Sequence, residues 1–215
     1  LTAPYADFAW VSNQGINGPI FALLALDSRN YLPGSAVRRQ CVDAILSAEC
    51  SGGGWAFGGS AADPDMTAMA LQALAPYHKD SGNETVNTAV EKALNWLSGK
   101  YRSGYDSSES CAQVVIALSA LNLDANTDAR FTKTVEGKTL SVLGNLLQYR
   151  VAENGGFKHQ FADKAVNEMA TEQALCAMAA YARFTEKANA LYDMTDAACA
   201  HRFGEWQVTV AATCT

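Results

Sequence analysis

The chain has 215 residues, 49% of them hydrophobic, and a chain of this length can bury roughly 70% of the surface that it exposes when unfolded. Its formal net charge of −6 disfavours nucleic-acid binding, because a polyanion requires a basic surface, and the adjacent pair Arg38 and Arg39 is typical of a solvated helix face. No apolar run approaches the ~20 residues that cross a bilayer, so we expect no membrane span.

Helical spacing of apolar residues predicts helices that come in pairs along the chain. The first helix of a pair is amphipathic. The second is rich in small residues and is apolar on nearly every side. The second helices contain the equivalent dipeptides Ala25-Leu26, Ala73-Leu74, Ala117-Leu118 and Ala177-Met178. The first helices contain the groups Val37, Cys41 and Ile45; Val90, Leu94 and Leu97; and Leu140, Leu143 and Leu147.

Glycine followed by an aromatic residue marks the turn between the two helices of a pair. The turns are Gly53-Gly54-Trp55, Gly104-Tyr105 and Gly155-Gly156-Phe157. Glycine suits such a turn because it accepts positive φ freely. Asp63 and Ser107 are predicted N-caps of the helices that follow. We therefore predict four copies of one unit, at about residues 1–30, 31–79, 80–124 and 125–184.

The two kinds of helix predict two layers. A helix that is apolar on every side is buried, whereas an amphipathic helix has one face in water. Short connections make neighbours antiparallel, so the sequence predicts an all-α fold of tandem helical hairpins forming an α/α toroid, incomplete or open. A straight solenoid is the alternative. This domain is expected to cover residues 1–196, with 197–215 a C-terminal tail or the start of a β segment.

The unit resembles the prenyltransferase and squalene-cyclase repeat, in which Gly-Gly-aromatic precedes an acid-Thr-Ala-Leu helix. Gly53-Gly54-Trp55 with Asp65-Met66-Thr67-Ala68 carries the resemblance most clearly. The stretches 14–28, 109–118 and 169–181 resemble bacterial cell-surface proteins of unassigned function that carry this repeat. More distantly, the chain is similar to the toroid domain of vitamin B12 carriers. The resemblance implies an extracellular or cell-surface location, as a fragment of a longer chain.

Two enzyme classes contain a repeat that this one resembles. Each needs catalytic groups that this sequence has only in part. Class II terpene cyclases protonate their substrate with Asp-x-Asp-Asp, and Asp63-Pro64-Asp65-Met66 lacks the final aspartate. Protein prenyltransferases hold zinc with an Asp, a Cys and a His, and Cys111 and Cys176 on the inner helices have no matching histidine. A cyclase-like or prenyltransferase-like enzyme is therefore a further alternative, and no metal or cofactor is predicted.

Asp65, Glu109 and Glu172 occupy the first turns of three successive inner helices. If the protein is an enzyme, these acids are its predicted catalytic residues. A hydrolase or lyase that acts on polysaccharides is then the alternative function, because glycoside hydrolases use paired carboxylates across a cleft. The same acids are also expected from the helix dipole, which favours negative charge at a helix N-terminus.

A ligand site is predicted at the rim formed by the glycine turns and the starts of the inner helices. Its residues are Asn17, Trp55, Phe57, Asp65, Tyr105, Glu109, Gln113, Phe157, Glu172 and Gln173. Aromatic rings interleaved with amides and acids suit a glycan, a peptide or a small planar ligand such as a cobamide. The alternative for Trp55, Tyr105 and Phe157 is that they wedge between hairpins. The predicted function is a non-catalytic ligand-binding or scaffold module of a secreted or cell-surface protein.

The first predicted unit lacks a full-length outer helix. This leaves an apolar end, which further domains of the parent chain or another subunit are expected to cover. Among the six cysteines, Cys111 and Cys176 are predicted to be reduced because a full unit separates them. Cys199 and Cys214 are the predicted pair, closing a loop of about 15 residues.

Overall fold

The computed structural model describes residues 6–79, 83–153 and 155–197. These residues form eight α-helices and one two-stranded antiparallel sheet. The helices are α1 (Phe8–Val11), α2 (Asn17–Asp27), α3 (Ala36–Ser47), α4 (Pro64–Leu74), α5 (Glu84–Ser103), α6 (Ser108–Ala120), α7 (Val142–Leu147) and α8 (Glu168–Thr185). The strands are β1 (Thr132–Val135) and β2 (Lys138–Ser141). Short 3-10 turns cover Ser12–Gln14, Ala75–Tyr77 and Ala129–Phe131.

Helices α2, α4, α6 and α8 form a row of neighbours. In this row α4 packs against α2 and α6, and α6 packs against α8. Helices α3 and α5 flank the row, with α3 against α2 and α5 against α4. Every residue of α6 from Ser108 to Ser119 is buried. Helix α6 is thus the buried helix that a sequence apolar on nearly every side predicts.

Side-chain oxygens cap the starts of three helices in the row. Asp63, Ser107 and Asn167 each accept the backbone N–H three residues further on, at 2.8, 3.1 and 2.9 Å. Each bond satisfies one of the N–H groups that a helix start leaves without a partner. The N-caps predicted at Asp63 and Ser107 are confirmed.

The prediction of an all-α toroid is wrong. The chain is mostly helical, but β1 and β2 form an antiparallel hairpin in which Thr132 faces Ser141 and Val135 faces Lys138. The outer helix predicted for the fourth unit is also shortened, because Leu140 lies in β2 and the helix begins only with α7. A ring of uniform helical hairpins therefore does not describe this chain.

The hairpin follows from its turn and from β-branched residues. Glu136 and Gly137 have φ values of 51° and 77°, and positive φ at both central residues matches the twist of two paired strands. Threonine and valine at 132, 134, 135 and 139 favour extended backbone. Tyr101 of α5 donates its hydroxyl to Leu140 O at 2.9 Å, which holds β2 against α5. These local preferences outweigh the helical spacing of the leucines that follow.

After α8 the chain runs back to the C-terminal end of α2. Met194 N donates to Ser28 O at 2.7 Å, directly after α2. Arg29 donates to Ala197 O at 3.1 Å. We call residues 186–197 the returning segment. Part of it, from Ala190 to Thr195, lines one cavity together with the C-terminal ends of α2, α4 and α6.

Several predictions concern residues beyond this segment or features of the whole chain. The predicted tail or β segment over 197–215 lies outside the described residues from residue 198 onward, and so do Cys199 and Cys214. Cys111 and Cys176 are free thiols, as predicted. In the three described ranges, no helix combines the length and the apolar character that crossing a membrane requires. The boundaries of the repeat units stay predictions.

Candidate functional site

Three aromatic residues of the predicted rim are buried. Trp55 has no exposed surface, and Tyr105 and Phe157 keep 6% and 4% of theirs. The Trp55 indole N–H donates to Ile45 O at 2.6 Å, and the Tyr105 hydroxyl donates to Leu97 O at 2.9 Å. The polar atoms of these two rings thus bond to the backbone of α3 and α5. These rings wedge between helices and present no face to a ligand.

The turns before α4 and α8 share one pattern of hydrogen bonds. Thr67 Oγ1 accepts from Trp55 N at 2.9 Å and donates to Trp55 O at 3.2 Å. Thr171 Oγ1 has the same relation to Phe157, at 2.9 and 3.3 Å. A Cβ at Gly54 would lie 2.7 Å from Thr67 Oγ1, so the threonine reaches the turn only because this residue is glycine. The Gly-Gly-aromatic signature therefore serves packing at both turns.

The amides of the predicted rim belong partly to a ladder across the row of helices. Gln72 Nε2 donates to Gln113 Oε1 at 2.9 Å, and Gln113 Nε2 donates to Gln173 Oε1 at 3.2 Å. This chain of amides links α4, α6 and α8. Asn17 is half-buried at the start of α2, and Phe57 is 75% exposed. The structure thus brings Gln113 and Gln173 together and leaves the aromatic ring of Phe57 on the surface.

Two of the three predicted acids come together. Glu109 is buried, and its Oε2 lies 2.9 Å from Nδ1 of His159. Burial raises the pKa of Asp65, the nearby charge of Glu109 raises it further, and His159 opposes this. Glu172 is exposed, and its Oε1 lies 3.7 Å from Sγ of Cys176. The charge of Glu109 therefore acts on Asp65, while Glu172 contacts a cysteine of its own helix. The prediction that all three acids occupy first turns is wrong for Glu172, because α8 begins at Glu168.

The Glu109–His159 contact anchors the loop before α8 to the start of α6. Ser108 N also donates to His159 O at 3.0 Å, so side chain and backbone of one loop residue are both held. A buried carboxylate needs such a partner, because burial without one is costly. Glu109 thus has a structural task that the sequence pattern does not reveal.

Replacing Asp65 with asparagine is expected to make the free energy of unfolding less dependent on pH. Burial raises the pKa of Asp65 above its usual range, so the folded protein binds this proton more tightly than the unfolded chain. The stabilisation is complete below the unfolded pKa and is lost as pH rises through the raised pKa. Urea unfolding between about pH 3 and 7 measures this.

The matched control for this substitution is Asp43→Asn, because Asp43 is an exposed aspartate on α3. It should keep the wild-type dependence on pH. An Asp65→Asn variant that loses as much stability as the wild type between acid and neutral pH would contradict the assignment.

A cavity lies at the C-terminal ends of α2, α4 and α6, next to the returning segment. Its volume is about 470 Å³, which is within the usual size of small-molecule sites. Leu24, Ile116 and Ala120 contribute apolar wall from α2 and α6. The polar lining includes Asn30, Gln72, Asn122, Tyr192, Asp193 and Thr195. None of the residues predicted for the rim is among the described residues that line this cavity.

Gln72 gives the cavity a fixed polar group. Its Nε2 donates to both O and Oε1 of Gln113, at 3.2 and 2.9 Å, so α6 sets the orientation of the amide. Within the described ranges, no hydrogen bond uses Gln72 Oε1. A ligand N–H or O–H can therefore donate to a group that is already ordered, which lowers the entropic cost of binding.

Two carboxylates and one guanidinium line the cavity. Asp27 pairs with Arg38 and also accepts from the Tyr77 hydroxyl at 3.1 Å. Asp193 accepts from N and Oγ1 of Thr195, at 3.0 and 2.6 Å. Burial alone would raise the pKa of Asp193, but these hydrogen bonds, together with Asn189 and the nearby charge of Arg183, outweigh it, and the pKa lies below its usual range. At neutral pH the cavity therefore disfavours an anion.

Comparison of the chain with protein-family models, curated proteins and solved structures finds no match. The resemblance to the prenyltransferase and squalene-cyclase repeat stays a prediction from sequence. In the part of the chain that the structure describes, no three His, Cys, Asp or Glu side chains lie together as a metal ion would need. The functional argument therefore rests on the geometry of the cavity.

Sequence reasoning does not find this cavity because its walls are distant in the chain, from Leu24 in α2 to Thr195 in the returning segment. Only the fold brings them together. One signal does point to it. Gln72 is an amide among the alanines and leucines of a buried helix, and a buried amide needs a hydrogen-bond partner.

Proposed function

We propose that the protein binds a small polar molecule, neutral or cationic, in the cavity beside the returning segment. The observation that carries the proposal is a cavity of about 470 Å³ whose lining combines apolar walls with the ordered amide of Gln72 and the carboxylate of Asp193. In small-molecule sites, apolar walls supply burial and a few polar groups set orientation. The protein is thus a binding module in this proposal. Its place in a secreted or cell-surface protein is proposed on the sequence resemblance alone.

The polar lining favours a ligand with several hydroxyl or amine groups. Gln72 offers an ordered acceptor, and Asn30 and Asn122 add amides. Asp193 adds a charged acceptor, while Tyr192 adds a ring that is 39% exposed. Groups that accept hydrogen bonds select a ligand that donates them, because an unmatched buried acceptor costs free energy.

A ligand series matched in size tests the preference for charge. Glucose, glucosamine and glucuronate share one ring and are neutral, cationic and anionic, and each joins a library of small polar molecules in a thermal-shift screen. We expect the hits to be neutral or cationic. Asp193→Asn should reduce the preference for cations. A screen without hits, or one whose hits are anions, would contradict the proposal.

Ala120→Phe is expected to weaken binding of any hit by at least about tenfold, which is ~1.4 kcal/mol. Ala120 is half-buried at the end of α6 and lines the cavity, so a phenyl ring there would fill ligand space. Ala61→Phe is the matched control, because Ala61 is exposed in the loop before α4. Isothermal titration calorimetry measures both. Equal affinity in the two variants would place the ligand elsewhere.

A further inference from the structure

An apolar groove lies directly beside the cavity of the proposed function. Its described lining comes from one face of α2 and from the returning segment, namely Phe21, Leu24, Ala25, Ser28, Tyr192 and Met194. Its volume is about 290 Å³. We call it the α2 groove. Leu24 and Tyr192 line the groove and the cavity alike, so the two recesses adjoin.

The α2 groove offers mainly apolar surface. Phe21 and Met194 are 51% and 42% exposed, so apolar area of both side chains is in contact with water. Ser28 also lines the groove, but its Oγ already donates to Ala25 O at 2.8 Å. Covering this surface removes it from water, which is favourable in proportion to the apolar area buried. The groove therefore favours an apolar group such as an alkyl chain.

Hydrogen bonding places a carboxylate near the junction of the two recesses. Met194 N donates to Ser28 O at 2.7 Å, which holds the returning segment against the end of α2. Asp193 precedes Met194 in the chain, and it follows Tyr192, which lines both recesses. Asp27 precedes Ser28 and also lines the cavity. The two aspartates thus lie next to one hydrogen bond that joins α2 to the returning segment.

The net charge of the cavity lining is negative. Asp27 and Arg38 form an ion pair, so their charges cancel, and among the described residues that line the cavity the charge of Asp193 remains. Arg183 lies near Asp193, but it donates to Asp196 at 2.5 Å and lines neither recess. The cavity therefore favours a ligand with a single positive charge.

Arg38 does not make the cavity a site for an anion. Each of its three guanidinium nitrogens already donates to the protein: Nε to Tyr31 O at 2.9 Å, Nη1 to Asp27, and Nη2 to Leu26 O at 2.7 Å. A fatty carboxylate would suit the groove, but in the cavity it would meet the carboxylate of Asp193 without a free guanidinium to pair with. The charge of the lining thus excludes the anionic member of the amphiphiles.

A primary ammonium group matches the polar end of the combined site. It carries one positive charge and three N–H donors, as the lysine side chain does. Asp193 supplies a charged acceptor, and Gln72 supplies an amide oxygen that is already ordered. The ring of Tyr192 is 39% exposed, and an aromatic face attracts a cation. An alkyl chain on the same molecule would pass Tyr192 and reach the groove.

We propose that the cavity and the α2 groove together bind one amphiphilic amine, with its ammonium group beside Asp193 and its alkyl chain in the groove. This inference rests on the proposed function and deepens it, because it names the class of ligand and adds a second recess to the site. The chain supplies the burial of apolar surface, and the ammonium group supplies the selection for charge.

Isothermal titration of the full chain with butylamine, hexylamine and octylamine tests the proposal. Hexanol and hexanoate are the neutral and anionic matches of hexylamine. We expect hexylamine to bind about tenfold or more tighter than hexanol, as for hydrogen bonds to a charged group, and hexanoate to bind more weakly still. Each added methylene group should tighten binding of the amines by up to about fourfold, the gain from burying it completely.

Asp193→Asn tests the position of the ammonium group. It should weaken binding of hexylamine by about tenfold and change that of hexanol little, because only the amine carries a charge. Asp196→Asn is the matched control. It removes the same charge from the same segment, but Asp196 pairs with Arg183 and lines neither recess, so both affinities should be nearly unchanged.

Ala25→Phe tests the position of the alkyl chain. Ala25 is exposed on α2 and lines the groove but not the cavity. Octylamine should lose about tenfold in affinity, the contribution of roughly two buried methylene groups, and butylamine should lose less. Ala179→Phe is the matched control, because Ala179 is an exposed alanine of α8 that lines neither recess.

Three results would overturn the inference and leave the proposed function standing. One is that hexanol binds as tightly as hexylamine while Ala120→Phe weakens both. Another is that the affinity for the amines depends neither on chain length nor on Ala25→Phe. The third is that neutral compounds of the library bind in the cavity while no amine binds. A screen without hits of any kind would overturn both proposals.

Two further results would place the ligand or the groove elsewhere. Binding of hexylamine that Ala120→Phe leaves unchanged would show that the ammonium group does not enter the cavity. Sedimentation velocity covers the other occupant of the groove: a wild-type dimer that Ala25→Phe dissociates would assign the groove to a second copy of this chain. Either result would overturn the inference.

Discussion

Replacing Arg38 with alanine is expected to lower the free energy of unfolding by about 3 kcal/mol, the lower end of the cost of removing one partner of a buried ion pair, because this pair is partly buried. The Arg38 side chain is 12% exposed and pairs with Asp27. Its Nη2 also donates to Leu26 O at 2.7 Å and to Tyr31 O at 2.5 Å. Without the guanidinium, the Asp27 carboxylate keeps only the Tyr77 hydroxyl among its described hydrogen-bond partners.

Arg39→Ala is the matched control for this substitution. Arg39 is the next residue of the same helix, is exposed, and donates to Gly34 O at 2.8 Å. Its loss should change stability by within about 0.5 kcal/mol, as for most surface substitutions. Urea unfolding at neutral pH measures both variants. Equal losses would contradict the view that Arg38 is the residue that ties α3 to the end of α2.

The cost of Arg38→Ala should shrink in acid. Burial raises the pKa of Asp27, and Arg38 opposes that rise, so removing Arg38 raises the pKa further. A group whose pKa is raised on folding stabilises the fold below its unfolded pKa, and this is lost as pH rises through the folded pKa. The difference between variant and wild type is therefore expected to be largest at neutral pH and smallest below about pH 4.

The buried helices of the row could be predicted because several local signals agree. In α6, a cap at Ser107, an acid in the first turn and an apolar run all indicate one helix, and such agreement makes a prediction reliable. The β hairpin could not be predicted from leucine spacing. There, the turn at Glu136 and Gly137 decides the backbone.

The direction of individual side chains could not be read from the pattern. Arg38 and Arg39 are adjacent and identical in type, and only the position of the α2 C-terminus determines which one pairs with Asp27. The same holds for the three predicted acids: Asp65 and Glu109 are each the second residue of their helix, whereas Glu172 is the fifth residue of α8 and lies past its first turn. The loop residue His159 reaches Glu109, and no sequence pattern places that loop.

Trp55→Ala is expected to lower the free energy of unfolding by about 3–5 kcal/mol, the usual cost of truncating a buried tryptophan. Trp55 has no exposed surface, so the substitution leaves a void between helices. Its indole N–H also donates to Ile45 O at 2.6 Å, and the variant would lose this bond, leaving Ala48 N as a donor to the same carbonyl at 3.2 Å.

Comparison with Phe57→Ala tells whether Trp55 serves to pack the core or to contact a ligand. Phe57 lies two residues after Trp55 and is 75% exposed, so its removal should change stability by within about 0.5 kcal/mol. Urea unfolding of both variants gives the comparison. If Trp55 served mainly as a ligand contact, Trp55→Ala would unfold like Phe57→Ala and the wild type. A large loss confined to Trp55→Ala is the result that wedging between helices requires, because only a ring inside the core leaves a void.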